Sequence, residues 1–188
     1  AINAGICRIL VRGGRMPVPF KAQNMSNNAA PALLPMGEEG WGEIGTATAL
    51  QAEACRMPPL CEMNPVLLKS GGRRNSDGAF LCSVVVNGRQ MAVEDYGAIG
   101  SRTEELRQLV LEAHRKLVER TNADVVVIEG AGSCTELNLM DRDIVNLPLV
   151  RRLGCPWLLV ADIDKGGVFA QIVGTKACVE STDWDLCC

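Results

Sequence analysis

Apolar positions in this chain follow two rhythms. Over residues 1–13, Ile6, Ile9 and Leu10 fall on one face of a helix that Gly13-Gly14 ends. From Ser101 to Arg120, Leu106, Leu109, Val110, Ala113 and Leu117 form a clear helical stripe. Ser101 followed by Glu104 reads as a capping box at its start. The Ala-rich stretch Glu43–Cys55, the stretch Asp141–Leu153 and a segment opening at Gly167–Thr175 also read as helical. Short apolar runs predict strands at Pro17–Lys21, Asn64–Lys69, Ala79–Asn87, Ala123–Ile128 and Pro156–Ala161. Pro65 suits only the start of its strand, and Asn87-Gly88 is a hairpin turn signal. The run VVVI before Glu129 does not alternate, as in a strand covered on both faces of a parallel sheet. Gln23–Gly42, rich in Asn, Pro and Gly, reads as a loop. The tail, residues 176–188, shows no clear pattern and is expected to be poorly ordered. Strands separated by helices predict an α/β fold with a doubly wound, mostly parallel sheet, and no internal repeat is visible.

Composition narrows this picture. The 188 residues suffice for one domain with a sizeable core, and the apolar share of 47% is ordinary. A net charge of −3 gives no reason to expect nucleic acid or an anionic membrane as a partner. No apolar run approaches the roughly 20 residues needed to span a bilayer. The N-terminal stretch is apolar first and basic afterwards, the reverse of a secretory signal. There are nine cysteines but no CxxC pair and a single histidine, His114, so a structural zinc site is disfavoured. An odd number of cysteines without a signal points to reduced thiols and a cytoplasmic setting.

In α/β folds, ligands bind beyond the carboxyl ends of strands. Three places qualify. Lys21 follows PVPF, Glu129-Gly130-Ala131-Gly132 follows VVVI, and Asp162–Gly167 follows LLVA. A carboxylate emerging from four apolar residues must be paired or bind a metal. Glu129 could therefore hold Mg²⁺ beside a phosphate, with Gly130 and Gly132 admitting close backbone approach. It could equally be a strand-end acid paired with a lysine. Asp162 and Asp164 could share a metal with Gly166-Gly167 opening an anion site, or could form a polar turn. Lys21 could neutralise charge on a transferred phosphoryl group, or simply be solvated. His114 reads as a boundary histidine and Arg73-Arg74 as a solvated loop. A complete P-loop motif is absent from the 188 residues.

Several stretches resemble the cobyric acid synthase family: PFKAQNMSNN (Pro19–Asn28), GEIGTATALQAEA (Gly42–Ala54), MNPVLLK (Met63–Lys69), VVVIEGAGSCTELNLMDRDIVN (Val125–Asn146) and LLVADIDKGGVFAQIVGT (Leu158–Thr175). The resemblance spans about residues 3–175. It implies a P-loop, dethiobiotin-synthetase-like amidoligase fold, with residues 1–175 as part of an ATP-binding domain and 176–188 as a divergent tail. It also implies MgATP-dependent phosphorylation of peripheral carboxylates of adenosylcobyrinic acid a,c-diamide. Ammonia from a separate glutaminase domain then gives the amides of adenosylcobyric acid. Under this resemblance Glu129 is the Mg²⁺ ligand and Lys21 touches phosphate or acyl phosphate. Asn24, Ser26, Glu43 and Gln51 line the corrinoid and phosphate cleft. Gly130 and Gly132 lie at the phosphates, and Asp141, Asp143 and Asp164 are further contacts.

Departures from the family pattern are also plain. The family's first strand and P-loop would precede the GICRIL helix, so the chain reads as a fragment lacking both, expected to have little or no synthase activity by itself. Lys165 stands where arginine is usual and Lys69-Ser70 where Lys-Pro is usual. After Thr175 the family pattern stops, and none of the cysteines is assigned a glutaminase role. Alternatives are a cobyrinic acid a,c-diamide synthase or dethiobiotin synthetase relative, against which KAQNMS speaks, a non-catalytic ATPase-like module of the chromosome-partitioning type, or an inactive fragment.

Overall fold

The computed structural model describes the backbone of residues 1–188 and all side chains except those of Arg73, Ala92, Asp95, Tyr96 and Gly97. The chain divides into two compact units, Ala1–Glu129 and Gly130–Cys188.

In the first unit, helix α1 (Ile2–Arg12) buries Cys7 and lays Ala4, Ile6 and Leu10 against Ala54, Cys55 and Val127. Strand β1 (Pro17–Phe20) pairs in parallel with β8 (Val125–Ile128), from Pro17↔Val125 to Phe20↔Ile128. Two prolines are tolerated in β1 for a reason of parity. Pro17 and Pro19 face the same way as Lys21, whose N–H turns to the Met63 carbonyl, while Phe20 O accepts from Glu129 N. The missing N–H groups therefore fall on the side away from β8, where no ladder bond is lost. Helix α4 (Thr103–Thr121) buries Leu106, Val110, Ala113 and Leu117. His114, on the same helix, meets the Phe20 ring edge-on at 5.4 Å.

The remaining strands depart from the expected sheet. β2 (Gln23–Met25) pairs in parallel with β5 (Val66–Arg74), which continues antiparallel to β6 (Phe80–Val86) and β7 (Arg89–Asp95). β3 (Ala29–Leu33) and β4 (Trp41–Gly45) form a separate antiparallel pair. The fold is α/β, but among the described residues its strands lie in a parallel pair, a four-stranded mixed sheet and an antiparallel pair rather than in one mostly parallel sheet. The stretch expected as a loop, 23–42, thus holds two strands and the start of a third. These are three to five residues long, too short for alternation to show against Asn, Pro and Gly. Glu43 lies on β4, and helix α2 starts later, at Thr46, running to Ala54. Asn87 and Gly88 make the expected β6–β7 turn, both in the left-handed region at φ 47° and 85°.

The capping box fails. Ser101 ends a preceding helix, α3 (Tyr96–Ser101), and donates to the Ala98 carbonyl at 2.7 Å. Helix α4 begins with Arg102 at its N-cap and no side-chain cap.

The second unit is helical, with a 3-10 turn at Leu137–Arg142, α5 (Leu147–Leu153), α6 (Val168–Cys178) and α7 (Ser181–Trp184). The single helix expected over 141–153 is interrupted because Asp143 caps residues 145 and 146, and Pro148 then opens α5. The expected strand 156–161 makes only one bridge, Trp157↔Cys187, and leaves Leu158 and Val160 exposed. Within this unit no strand takes its backbone groups, and an apolar run becomes a strand only when a neighbour does. In the tail α7 forms, and the Asp183 carboxylate is buried against the Arg151 guanidinium at 2.5 and 2.8 Å. Among the described residues no helix is long and apolar enough to cross a membrane.

Candidate functional site

The parallel pairing of β1 and β8 ends with Phe20 beside Ile128, so the next residues, Lys21 and Glu129, leave the sheet together. Lys21 is only 9% exposed. Its N–H donates to Met63 O at 2.8 Å, and its carbonyl accepts from Asn64 Nδ2 at 3.0 Å. Its Nζ reaches Glu129 Oε1 at 2.6 Å. Gln51, on α2 and 3% exposed, donates its Nε2 to the other carboxylate oxygen. Burial pushes the Glu129 carboxyl upward, but the hydrogen bonds from Lys21 and Gln51 outweigh it and hold the group below the usual carboxylate range. Glu129 is therefore ionised at neutral pH. Among the described residues Gln51 Oε1 has no hydrogen-bond donor although it is buried, an arrangement that costs about 1–3 kcal/mol.

The alternative of a strand-end acid paired with a lysine is thus realised in geometry, and the lysine is Lys21. The pair is compatible with metal or phosphate chemistry as well, because each carboxylate oxygen keeps a second lone-pair direction.

Asn64 is not singled out by the sequence, where it reads only as the first residue of the expected strand Asn64–Lys69. It is 1% exposed, and its Nδ2 donates to Lys21 O and Val66 O, both at 3.0 Å. Its Oδ1 accepts from Gly45 N at 3.0 Å. Asn24, on β2 opposite Leu67, closes against the same glycine: a Cβ at Gly45 would lie 2.1 Å from Asn24 Nδ2. The glycine before α2 is required by this approach. Ser26 is bound by its N–H to Leu68 O at 3.0 Å, and its Oγ accepts from Asn28 N at 3.1 Å. Glu43 pairs with Lys69 Nζ. The structure brings Lys21, Gln51 and Glu129 into direct contact, while Ser26 and Glu43 carry partners of their own.

Gly130, Gly132, Asp143 and Asp164 belong to the second unit. A Cβ at Gly130 would come within 2.4 Å of Asn146 Oδ1. Asn146 also exchanges bonds with the backbone of Ala131, accepting from its N at 3.2 Å and donating to its O at 2.8 Å. Asn146 is thus a second residue that sequence reading missed, and it accounts for Gly130 without a ligand. Gly132 sits in the left-handed region at φ 63°. Both Asp143 oxygens are engaged, Oδ1 by Val145 N at 2.7 Å and Asn146 N at 2.9 Å, Oδ2 by Asn146 Nδ2 at 3.0 Å. Asp164 is exposed, and its N–H donates to Asp162 Oδ1 at 3.0 Å in a short polar turn. Asp162 also meets Lys165 at 3.4 Å. Among the described residues no three His, Cys, Asp or Glu side chains are placed to share a metal.

An ionised carboxylate and a lysine are thus held together at the carboxyl ends of adjacent parallel strands of an α/β protein, the place where α/β folds commonly take ligands. Comparison with known proteins gives the family. The chain is 46% identical over 180 residues to cobyric acid synthase of Hyphomonas neptunium, covering 96% of this chain and 34% of that protein. It is 45% identical over 179 residues to that of Parabacteroides distasonis, covering 94% and 33%. It is 46% identical over 186 residues to that of Streptomyces coelicolor, covering 98% and 34%. Over the stretch it spans, the chain belongs to the cobyric acid synthase family. It spans about a third of the length of these curated relatives. No protein-family profile matches the chain, and no solved structure matches it.

Proposed function

We propose that this chain forms part of the ATP-dependent amidoligase portion of a cobyric acid synthase, in cobalamin biosynthesis. The observation that carries the reading is the Lys21–Glu129–Gln51 trio at the ends of β1 and β8, in a chain 46% identical to named cobyric acid synthases. The proposed whole is a ligase with a P-loop, dethiobiotin-synthetase-like fold, working in the cytoplasm with a glutaminase domain that supplies ammonia.

The chemistry proceeds in two steps. A corrinoid carboxylate oxygen takes the γ-phosphoryl group of ATP, giving an acyl phosphate and ADP. Ammonia then attacks the acyl carbon, the C–O bond to phosphate breaks, and the products are an amide and inorganic phosphate, which carries away the proton that the nitrogen loses. Lys21 is suited to the charge that gathers on the transferred oxygens, because its ammonium is held rigidly and almost out of water. The exclusion of water at such a site protects an acyl phosphate from hydrolysis.

Mg²⁺ prefers oxygen ligands and is commonly held by one or two carboxylates with substrate phosphates. Glu129, ionised and fixed from both sides, fits as the protein's carboxylate. Bound Mg²⁺ would supply neutralisation of phosphate charge. Asn24, Ser26 and Glu43 are proposed to face the corrinoid and phosphates, with Gly130, Gly132, Asp143 and Asp164 as further contacts.

The test is to place this chain in the Streptomyces coelicolor relative in exchange for the matching third and to follow amidation of adenosylcobyrinic acid a,c-diamide. Glu129→Gln or Lys21→Met in the chimera should each lower kcat by about 100-fold or more. Amidation by both variants at the parent chimera's rate, or an inactive chimera whose fold is intact, would refute the proposal.

A further inference from the structure

Gln51 carries an observation that the amidoligase reading does not use. Its side chain is 3% exposed, and one end of its carboxamide donates to Glu129 Oε2. The other end, Oε1, is buried and lacks a donor among the described residues. Buried carboxamide oxygens normally accept a hydrogen bond. A half-turn about the terminal bond of the side chain exchanges the two ends, since the amide is nearly symmetric in shape. In that orientation the carboxamide oxygen faces a carboxylate oxygen, and two oxygens so placed need a positive charge between or beside them. Both orientations leave an oxygen that calls for a cation or a donor. Lys21 does not supply it, because its Nζ engages the opposite carboxylate oxygen, Oε1 of Glu129.

We propose that Gln51 is a ligand of the divalent cation, supplying its carboxamide oxygen beside the carboxylate of Glu129, and that its amide turns over when the cation binds. The proposal rests on the MgATP reading above. Carboxamide oxygen is a hard, neutral donor of the kind that Mg²⁺ and Mn²⁺ accept. In the metal-free protein the same side chain donates to Glu129 and helps keep that carboxylate ionised and in place, so a single residue serves both states. The position on α2 gives it a stable mount: α2 packs through Ala54 on α1, and its Gln51 backbone carbonyl accepts from Cys55 N at 3.0 Å.

The experiment measures Mn²⁺ binding by electron paramagnetic resonance, with and without ATP, in the parent chimera described above and in its Gln51→Met, Gln51→Glu and Glu129→Gln variants. Gln51→Met keeps the length and removes the oxygen; it should weaken Mn²⁺ binding about 10-fold or more, the usual loss for a group that supports a metal site. Gln51→Glu returns an oxygen with added charge. It should bind Mn²⁺ at least as tightly as the parent, and Mn²⁺ should raise its melting temperature more than the parent's. A purely structural role would change melting without this dependence on Mn²⁺. If Gln51→Met binds as the parent does while Glu129→Gln binds weakly, the assignment of Gln51 fails and the MgATP reading stands. Should Gln51→Met not fold, Gln51→Glu decides: tighter or equal binding supports the assignment and weaker binding overturns it. If the parent binds no Mn²⁺ even with ATP, both readings are overturned.

Discussion

Lys21 and Glu129, 108 positions apart in sequence, meet at 2.6 Å because two parallel strands end side by side. Neither partner is open to water enough to be indifferent to the other's loss: their side chains are 11% and 32% exposed. Lys21→Met should leave a half-buried carboxylate with only Gln51 to hold it, lowering stability by about 2–3 kcal/mol. Glu129→Gln should be milder, since an amide oxygen can still accept from Lys21. A double-mutant cycle in urea should return a coupling of about 1–2 kcal/mol. Additive losses would mean that the pair contributes nothing as a pair.

His114 is the one histidine in the sequence, so its titration is a single, assignable signal. It packs edge-on against Phe20, and burial lowers its pKa below the ordinary 6.5. Above 6.5 the imidazole is neutral in folded and unfolded chain alike. Below it the unfolded chain takes up the proton first, so stability is full above this value and declines as pH falls towards the folded-state pKa. The ring-proton NMR titration should show a midpoint below 6.5, and His114→Leu should flatten that part of the stability profile. A midpoint at or above 6.5 would contradict the burial argument.

What could be read from the sequence follows a physical pattern. The ends of β1 and β8 were legible because a charged residue after an unbroken apolar run, at Lys21 and Glu129, marks where a buried strand surfaces. Helix α4 was legible because its stripe, Leu106 to Leu117, runs over about three turns, although its start was not: Ser101 had the right chemistry for a cap and spends it on Ala98. Gln51 and Asn64 were hard to weigh because their importance lies in partners far along the chain, Glu129 and Lys21. Strands β2 to β4 are too short to show a period, and their existence depends on neighbours such as β5. The stretch 156–161 shows the converse, an apolar run that makes a single bridge, Trp157↔Cys187, within its unit. Gly130 shows that a glycine beside a candidate phosphate site can be required by a protein side chain, here Asn146.

Glu62 illustrates a buried charge with a structural duty. Its side chain is 1% exposed, and both oxygens accept from Arg120 Nη1 at 2.9 Å. The same nitrogen donates to Leu34 O at 2.8 Å, and Glu62 Oε1 also accepts from Met36 N at 3.1 Å. Arg120→Met would strand the carboxylate, and a loss of about 3–5 kcal/mol is expected. Adding Glu62→Met should recover much of it, since the apolar pair removes the desolvated charge. The burial that isolates Glu62 also pushes the neighbouring Cys61 thiol up to about 12, with the Glu62 charge as the second cause. A change in urea midpoint too small to separate Arg120→Met from the parent would show that the pair is dispensable.

Asp183 gives the residues after Thr175 a physical role. Its carboxylate is buried and takes a two-pronged bond from Arg151 on α5, at 2.8 and 2.5 Å. Its carbonyl accepts from Trp157 Nε1 at 2.7 Å, and Trp157 meets Trp184 edge-on with ring centres 6.0 Å apart. Arg151 is partly exposed, at 40%, so loss of the carboxylate leaves a cation that water can reach. The expected loss for Asp183→Ala is therefore that of charged hydrogen bonds, about 1.5–3 kcal/mol, rather than that of a stranded buried ion. Asp183→Asn, which keeps one acceptor for the guanidinium, should fall between the two. Because two of the three tryptophans sit at this contact and Trp41 is already exposed, emission should move to longer wavelength as the contact loosens. Asp183→Ala with the parent's emission and the parent's unfolding midpoint would show that the Arg151 contact does not hold α7 in place.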